Sequence, residues 1–319
     1  MAMNRIQFQP GLSMPAFFER YGTERQCEQA LQAARWPDGF RCPACGDPRH
    51  SEFERGERTY WQCSRCRRQS TVICGTIFQS TKLPLRRWFL AMHLLTQAKT
   101  NLSALELMRH IGVCYRTAWT VKHKLMEIMA RREENRVLEQ RVEIDDAYLG
   151  GERASTAGTH GRGSANKVPF VIAVQTTEQG RPLYVRLTPM PFNKEAIAAW
   201  SRKTLAATAH VVSDGLSAFR AVAGEVAHHE RHVVGSGRQS VQRPEFWAVN
   251  TVLGNLKTAL SGAYHAFNYS KYATRYLGEF SYRFNRRFDL KVILVRLLHA
   301  AAQAAPQPAH KLRLAELCH

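Results

Sequence analysis

The chain predicts a multidomain α+β protein, with small N-terminal modules ahead of a larger α/β domain. Cysteine occurs as two CxxC pairs, Cys42 with Cys45 and Cys63 with Cys66, separated by 17 residues. Beyond them lies a helix, a short turn at Gly112 and a second helix. From about residue 139 the apolar pattern changes to that of strands: three strands, a helix, a strand and closing helices.

Composition bounds the partner. Lys and Arg number 45 against 26 acids in 319 residues, a formal charge of +19 and a pI near 10. Such a surplus favours a polyanion, nucleic acid being the commonest. The basic residues alternate with aromatics on patterned helices, unlike a disordered tail. The start, MAMNRIQFQPGLSM, lacks an apolar signal core. VILVRLLHAAAQAA contains Arg296 and is too short to span a bilayer. The expectation is a cytoplasmic, nucleoid-associated protein without a membrane partner.

Residues 1–35 carry apolar residues at helical spacing in PAFFERYG and ERQCEQALQAARW, with Cys27 as core. In 36–80, the cysteine pairs have the spacing of a four-thiolate zinc ribbon, each pair on a tight knuckle, with a hairpin turning near Gly56. A redox dithiol would need a CxxC at a helix N-terminus beside a strand, and none is apparent. His50 is a conceivable substitute ligand, although its loop context reads as surface. With four protein ligands, this Zn²⁺ would be structural. In 81–136, LPLRRWFLAMHLLTQA is an amphipathic helix, and Ser103 with Glu106 has capping-box spacing. Helix, turn and helix resemble a helix-turn-helix, with Tyr115–Lys124 as the recognition helix. Arg116, Thr117, Lys122 and Lys124 are its groove-facing candidates, while Trp119 and Leu125 read as core.

Residues 137–319 form the larger domain. QRVEIDDAYLGG, KVPFVIAVQTT and RPLYVRLTPM read as a meander, NKEAIAAWSRKTLAAT as a helix, and HVVSDG as a strand ending in acid. ASTAGTHGRGSANK reads as a Gly/Ser-rich basic loop, and HVVGS near 232 as a further strand. This order is that of a ribonuclease-H-like α/β catalytic domain. Asp145 and Asp214 end strands, and aspartates on neighbouring strands supply the hard oxygens that Mg²⁺ or Mn²⁺ requires. Alternation puts Val142 and Ile144 on one face and Glu143 and Asp145 on the other, favouring Asp145 over Asp146. Asp214 before Gly215 also reads as a turn former, so its functional reading depends on pairing with Asp145. Asn250 and Lys257, two helical turns apart, share a helix face. His228, His229 and His232 read as a surface turn ahead of a strand rather than as ligands, and Cys74, Cys114 and Cys318 as packing or tail.

Several blocks resemble bacterial insertion-sequence transposases of the DDE superfamily, in the zinc-ribbon-headed, ISXO-like group with the signature D, D, N, K. They are RWPDGFRCPACG with CSRCRRQ, GTIFQSTKLPLRRWFLAMHLL, VEIDDAYLGG, SDGLSAF, VNTVLGNLKTALSGAYHAF and KYATRYLGEFSYRFNRRF. The resemblance implies Asp145 and Asp214 as the first metal-binding acids, Asn250 in place of the usual third glutamate, and Lys257 as a DNA contact. Asparagine offers a neutral carbonyl where glutamate offers a charge, so Glu279, Glu245 or Glu143 is a possible compensating acid; Glu279 also reads as a structural partner of Arg283. The resemblance further implies cleavage of transposon ends and joining of their 3′-hydroxyls to target DNA. The ribbon and helix-turn-helix would hold terminal inverted repeats, Arg275, Arg283, Arg286 and Arg287 the catalytic-domain DNA path, and His265 a DNA or structural contact. For the arginines, a solvated helix face with stems over aromatics is the other reading. A homodimer or larger assembly on paired ends is expected by analogy. A DNA-binding regulator with a degenerate catalytic domain, which only Asn250 favours, and a nuclease that does not join remain alternatives.

Overall fold

The computed structural model describes Ile6 and residues 8–56, 58–150, 167–233, 243–264 and 267–314. The basic loop at 154–166, His265, Cys318 and the end of the HVVGS segment lie outside the described residues. The chain divides into two compact units, Met1–Ile128 with Phe288–Arg313, and Met129–Arg287 with Leu314–His319. No helix among the described residues is long and apolar enough to cross a membrane.

In the first unit, α1 (Met14–Tyr21) starts at Ser13, whose hydroxyl accepts the Ala16 N–H. The next helix, α2 (Glu24–Arg35), starts at a reciprocal capping box between Thr23 and Gln26. β1 (His50–Arg55), β2 (Arg58–Cys63) and β3 (Gln69–Ser70) make an antiparallel sheet, with the hairpin turn at Gly56 in the left-handed region at φ 62°. Glu24 accepts the Leu85 and Arg86 N–H groups at 2.6 and 3.1 Å, so a side chain of α2 caps α3 (Leu85–Gln97), where Pro84 has none to offer. α4 (Ala104–Ile111) is capped by Ser103 and ends at left-handed Gly112. α5 (Tyr115–Glu134) follows two residues later.

The sequence assigns 137–319 to one domain, but residues 288–313 group with the first unit. The helix α9 (Ile293–Gln303) packs on α2 and α3. Its buried Ile293, Leu294, Leu297, Leu298 and Ala301 need an apolar partner, and local helical periodicity cannot say which unit supplies it.

The second unit is built on a five-stranded sheet of order β6-β5-β4-β7-β8. β4 (Arg141–Leu149), β5 (Val168–Thr176) and β6 (Pro182–Pro189) form the antiparallel meander. β7 (His210–Ser213) pairs parallel to β4, and β8 (His228–Arg231) parallel to β7. The last strand lies upstream of HVVGS, so the histidines expected in a turn stand in or beside a strand.

Side-chain alternation sorts the sheet into two cores. Val142, Ile144, Val171, Ala173 and Val211 pack with Ile197 and Trp200 of α6 (Lys194–Thr204) and with Phe219 of a 3-10 segment at Ser217–Gly224. Phe170, Ile172, Val174, Val185 and Val212 pack under α7 (Trp247–Ser261) and α8 (Tyr269–Asn285). The inner strand β5 is apolar on both faces for that reason. α8 approaches α5 closely: a β-carbon at Gly278 would lie 2.5 Å from Ala130 Cβ and 2.6 Å from its Cα.

Candidate active site and metal centres

β4 and β7 deliver the acids. Register pairs Ile144 with Ser213, so Asp145 stands level with Asp214. Asp145 does not end its strand as the sequence predicts but lies midway along β4, because pairing with β5 continues to Leu149, while Asp214 follows the last residue of β7. Glu143 and Val212 are also paired, and Val212 lies in the core under α7. Alternation therefore turns Asp145 and Asp214 to the α7 side. Carboxylate oxygens of Asp145, Asp146 and Asp214 fall within 4.8 Å of one another. Around octahedral Mg²⁺, oxygens at 2.0–2.1 Å lie about 3 Å apart when adjacent and about 4.2 Å when opposite. The cluster has both the spacing and the hard-donor chemistry for such an ion. Asp214 is in part the turn former the sequence allows, since its Oδ1 accepts the Leu216 N–H at 3.1 Å.

α7 lies over this face. Glu143 Oε2 accepts the Val249 N–H at 2.9 Å, placing the first turn of α7, and part-buried Asn250 within it, beside β4. Lys257 is exposed two turns further on. Two of the three compensating acids, Glu143 and Glu279, are committed elsewhere, whereas Glu245 Oε2 is buried without a hydrogen-bond partner among the described residues. Glu143 is 2% exposed, and burial pushes its carboxyl up to about 7 despite the Val249 and Ala248 amides and Arg141. Glu279 is fully buried and accepts the Tyr264 hydroxyl at 3.1 Å. Burial and Glu279 raise the Tyr264 phenol well above its ordinary value.

The ribbon cysteines converge. Sγ separations are 3.5 Å for Cys42–Cys66 and 3.6 Å for Cys45–Cys63, and all four lie within 4.8 Å. Tetrahedral zinc with bonds of about 2.3 Å sets sulfurs about 3.8 Å apart. The knuckles match: Gly46 N–H bonds to Cys42 O at 2.9 Å and Arg67 N–H to Cys63 O at 3.0 Å. Desolvation opposes ionisation of Cys42, but the Ala44 and Cys45 amides and neighbouring thiols bring it down to about 6. The Asp47 amide favours the Cys45 thiolate, yet desolvation and the other three thiols carry Cys45 up to about 12. A divalent ion among the sulfurs removes that conflict. His50 is not a fifth donor: its ring nitrogens face Pro48 O at 2.8 Å and Glu52 at 3.2 Å.

Residues 137–285 match the model of the ISXO2-like transposase domain, and residues 22–69 that of the transposase zinc-ribbon domain. The chain is thus similar to the ISXO2-like transposases over residues 137–285. It is 32% identical over 172 residues to an uncharacterized protein in transposable element ISH50 of Halobacterium salinarum, covering 49% of this chain and 56% of that one. The chain thus spans little more than half the length of that relative. The match to the Mos1 strand transfer complex covers 72% of this chain and 82% of the Mos1 chain, at 12% identity and a TM-score of 0.24. The Mos1 paired-end complex covers 66% and 79%, at 12% identity and 0.21.

Several basic residues assigned to DNA by sequence are committed inside the protein. Lys122 is fully buried. Lys124 donates to Ile77 O at 2.9 Å and lies over the Trp88 ring. Arg286 is 9% exposed, pairs with Glu133 and covers Tyr282 at 3.6 Å. Arg287 donates to Leu183 O at 3.0 Å and Pro182 O at 2.5 Å, fastening α8 to β6. Arg275 is buried, and Arg283 lies near Glu279 and Tyr264 with its guanidinium pKa lowered by burial. Helical periodicity marks these positions as polar but not what they meet. Arg116 and Lys257 remain exposed, and Thr117 is part-buried against Cys114 at 3.2 Å.

Proposed function

We infer that the chain is a DNA transposase in which Asp145 and Asp214 hold divalent metal beside Asn250. The observation carrying this reading is the meeting of Asp145, midway along β4, with Asp214, just past the end of the adjacent parallel strand β7, within 4.8 Å and inside the span matching the transposase domain. The sheet order, a meander followed by a helix and two parallel strands, supports a ribonuclease-H-like domain. Left-handed Gly112 between α4 and α5 supports a helix-turn-helix in 81–136 that reads terminal inverted repeats together with the ribbon of 36–80, after the helical segment of 1–35.

Mg²⁺ or Mn²⁺ bound there would supply Lewis-acid polarisation of the phosphate and an attacking oxygen of lowered pKa. Asp145 and Asp214 fix the position of the scissile phosphate by fixing that charge, and Asn250 adds a neutral oxygen. Lys257, two turns along the same helix, pairs with a neighbouring phosphate. Water attacks phosphorus and the bond to the 3′ oxygen breaks, giving a 3′-hydroxyl and a 5′-phosphate. That hydroxyl then attacks a target phosphodiester, displacing its 3′ oxygen. Zn²⁺ in the ribbon is structural.

The test is incubation with supercoiled DNA bearing transposon ends plus Mg²⁺ or Mn²⁺, comparing wild type with Asp145→Ala and Asp214→Ala. Metal-dependent nicking and strand-transfer products should appear for wild type alone. Equal nicking by all three proteins overturns the assignment, hydrolysis without joining identifies a nuclease, and binding without cleavage a regulator.

A further inference from the structure

On the α7 face of the sheet, at the opposite end of β7 from the acids, stands a second group of metal-type donors. His210 of β7 pairs with His228 of β8, and Val212 pairs with Glu230. In parallel strands, register partners project from the same face and so do alternate residues. His210, His228 and Glu230 therefore share one face, and one donor atom from each lies within 4.8 Å of the others. The His210 and His228 rings are 4.5 Å apart, edge to face.

The finer geometry suits one ion. His210 Nε2 is shielded from solvent, makes no hydrogen bond, and lies 3.4 Å from Glu230 Oε2. Tetrahedral donors about 2.0–2.1 Å from zinc stand about 3.4 Å apart. The second carboxylate oxygen of Glu230 lies 2.8 Å from His232 Nε2, an outer contact of the kind that orients a ligating carboxylate. His232 is itself fixed by its N–H to Ser213 O at 2.9 Å and by edge packing on Phe246. Burial opposes ionisation of Glu230, but His232 and His210 hold its carboxyl below the ordinary value, so it offers negative charge.

We propose that His210, His228 and Glu230 form a binding site for one transition-metal ion, of the class of Zn²⁺ or Co²⁺, separate from the zinc ribbon and from the acid cluster. Imidazole donors select such ions over Mg²⁺. His210 and Asp214 are four residues apart, which sets the sites about 13 Å apart along the strand. A metal there joins edge strand β8 to β7. The assignment rests on donor geometry alone and stands whether or not the acids perform strand transfer.

The experiment uses the full chain with ribbon zinc in place and millimolar Mg²⁺ present to occupy the acids. Co²⁺ is titrated, followed by visible absorption and by bound metal per chain. One further equivalent should bind with a tetrahedral or five-coordinate cobalt spectrum. His210→Ala, His228→Ala and Glu230→Gln should each weaken it at least ~10-fold, while Asp145→Ala and Asp214→Ala leave it unchanged. Far-ultraviolet circular dichroism and ribbon zinc content check folding. The exposed His228 supplies a variant with little bearing on the core, and it decides the matter if His210→Ala does not fold. Absence of a further equivalent, retention of it by the histidine variants, or its loss on Asp145→Ala overturns the proposal.

Discussion

Glu143 Oε2 accepts the Val249 N–H at 2.9 Å, linking β4 to the first turn of α7 across 106 residues of sequence. One end of this bond lies two residues before Asp145, and the other immediately precedes Asn250. Removing the acceptor leaves a buried helix-start amide unpaired, which costs about 1–3 kcal/mol. Glu143→Ala should lose about that much stability in a urea titration and should weaken metal-dependent cleavage. Glu143→Gln keeps an oxygen acceptor and should lose less. Equal losses in the two variants would show that the hydrogen bond does not position the helix.

The close approach of α8 to α5 makes Gly278 a sharp probe of packing. An added methyl would meet Ala130 backbone, at 2.6 Å from Cα and 3.1 Å from N, rather than a side chain able to turn away. Gly278→Ala should destabilise by about 1–3 kcal/mol despite its gain in helix propensity. Thermal unfolding checks this, and an unchanged or raised Tm would mean that the helices separate freely.

Glu133 sets an acid limit on stability. Burial raises its carboxyl, but Arg286, Asn285 and Arg136 outweigh that and hold it below the ordinary value of 4.5. A depressed folded pKa contributes stability that is complete above the unfolded value and lost as pH falls through the folded one. Wild-type stability should decline below about pH 4.5. Glu133→Gln should be less stable at pH 7 and flatter through the acid range. Parallel curves for the two proteins would assign the decline to other carboxyls.

Zinc removal should unfold the ribbon without abolishing the sheet of the second unit. The ribbon sheet has only six-, six- and two-residue strands, and its core clusters around Trp36, Phe40 and Trp61. Cys42→Ser, or a strong chelator, should release about one Zn²⁺ per chain and shift amide signals of 36–80. Retention of zinc by Cys42→Ser would contradict the four-thiolate centre.

Arg116 and Arg286 should separate contact from structure. Exposed Arg116→Ala should leave Tm unchanged, weaken DNA binding, and reduce the salt slope by about one. Arg286→Ala leaves buried Glu133 with Asn285 and Arg136 as its partners and should destabilise by about 1–3 kcal/mol. A DNA effect from Arg286→Ala without loss of stability would return that residue to the DNA path.

Much of this architecture was legible in the linear chain. The ribbon needs only thiolates at fixed spacing and two knuckles, and Gly46 and Arg67 supply the required left-handed turns. Strand alternation sends Glu143 and Asp145 to one side, as their register with β5 and β7 bears out. What the sequence could not state was the identity of partners far along the chain. Lys122, Arg286 and Arg287 are basic residues on helices, like Arg116, and their spacing is the same whether they face a phosphate or a buried carbonyl. Only packing decided that Arg287 holds the backbone of β6 and that α9 closes on α2 and α3. Local pattern is a property of neighbours within a turn or a pleat, whereas burial and charge pairing depend on which elements meet. The histidines of AHHERHVV show the same limit: their sequence promises only a polar turn, and parallel pairing of β8 with β7 brings His228 and Glu230 to His210.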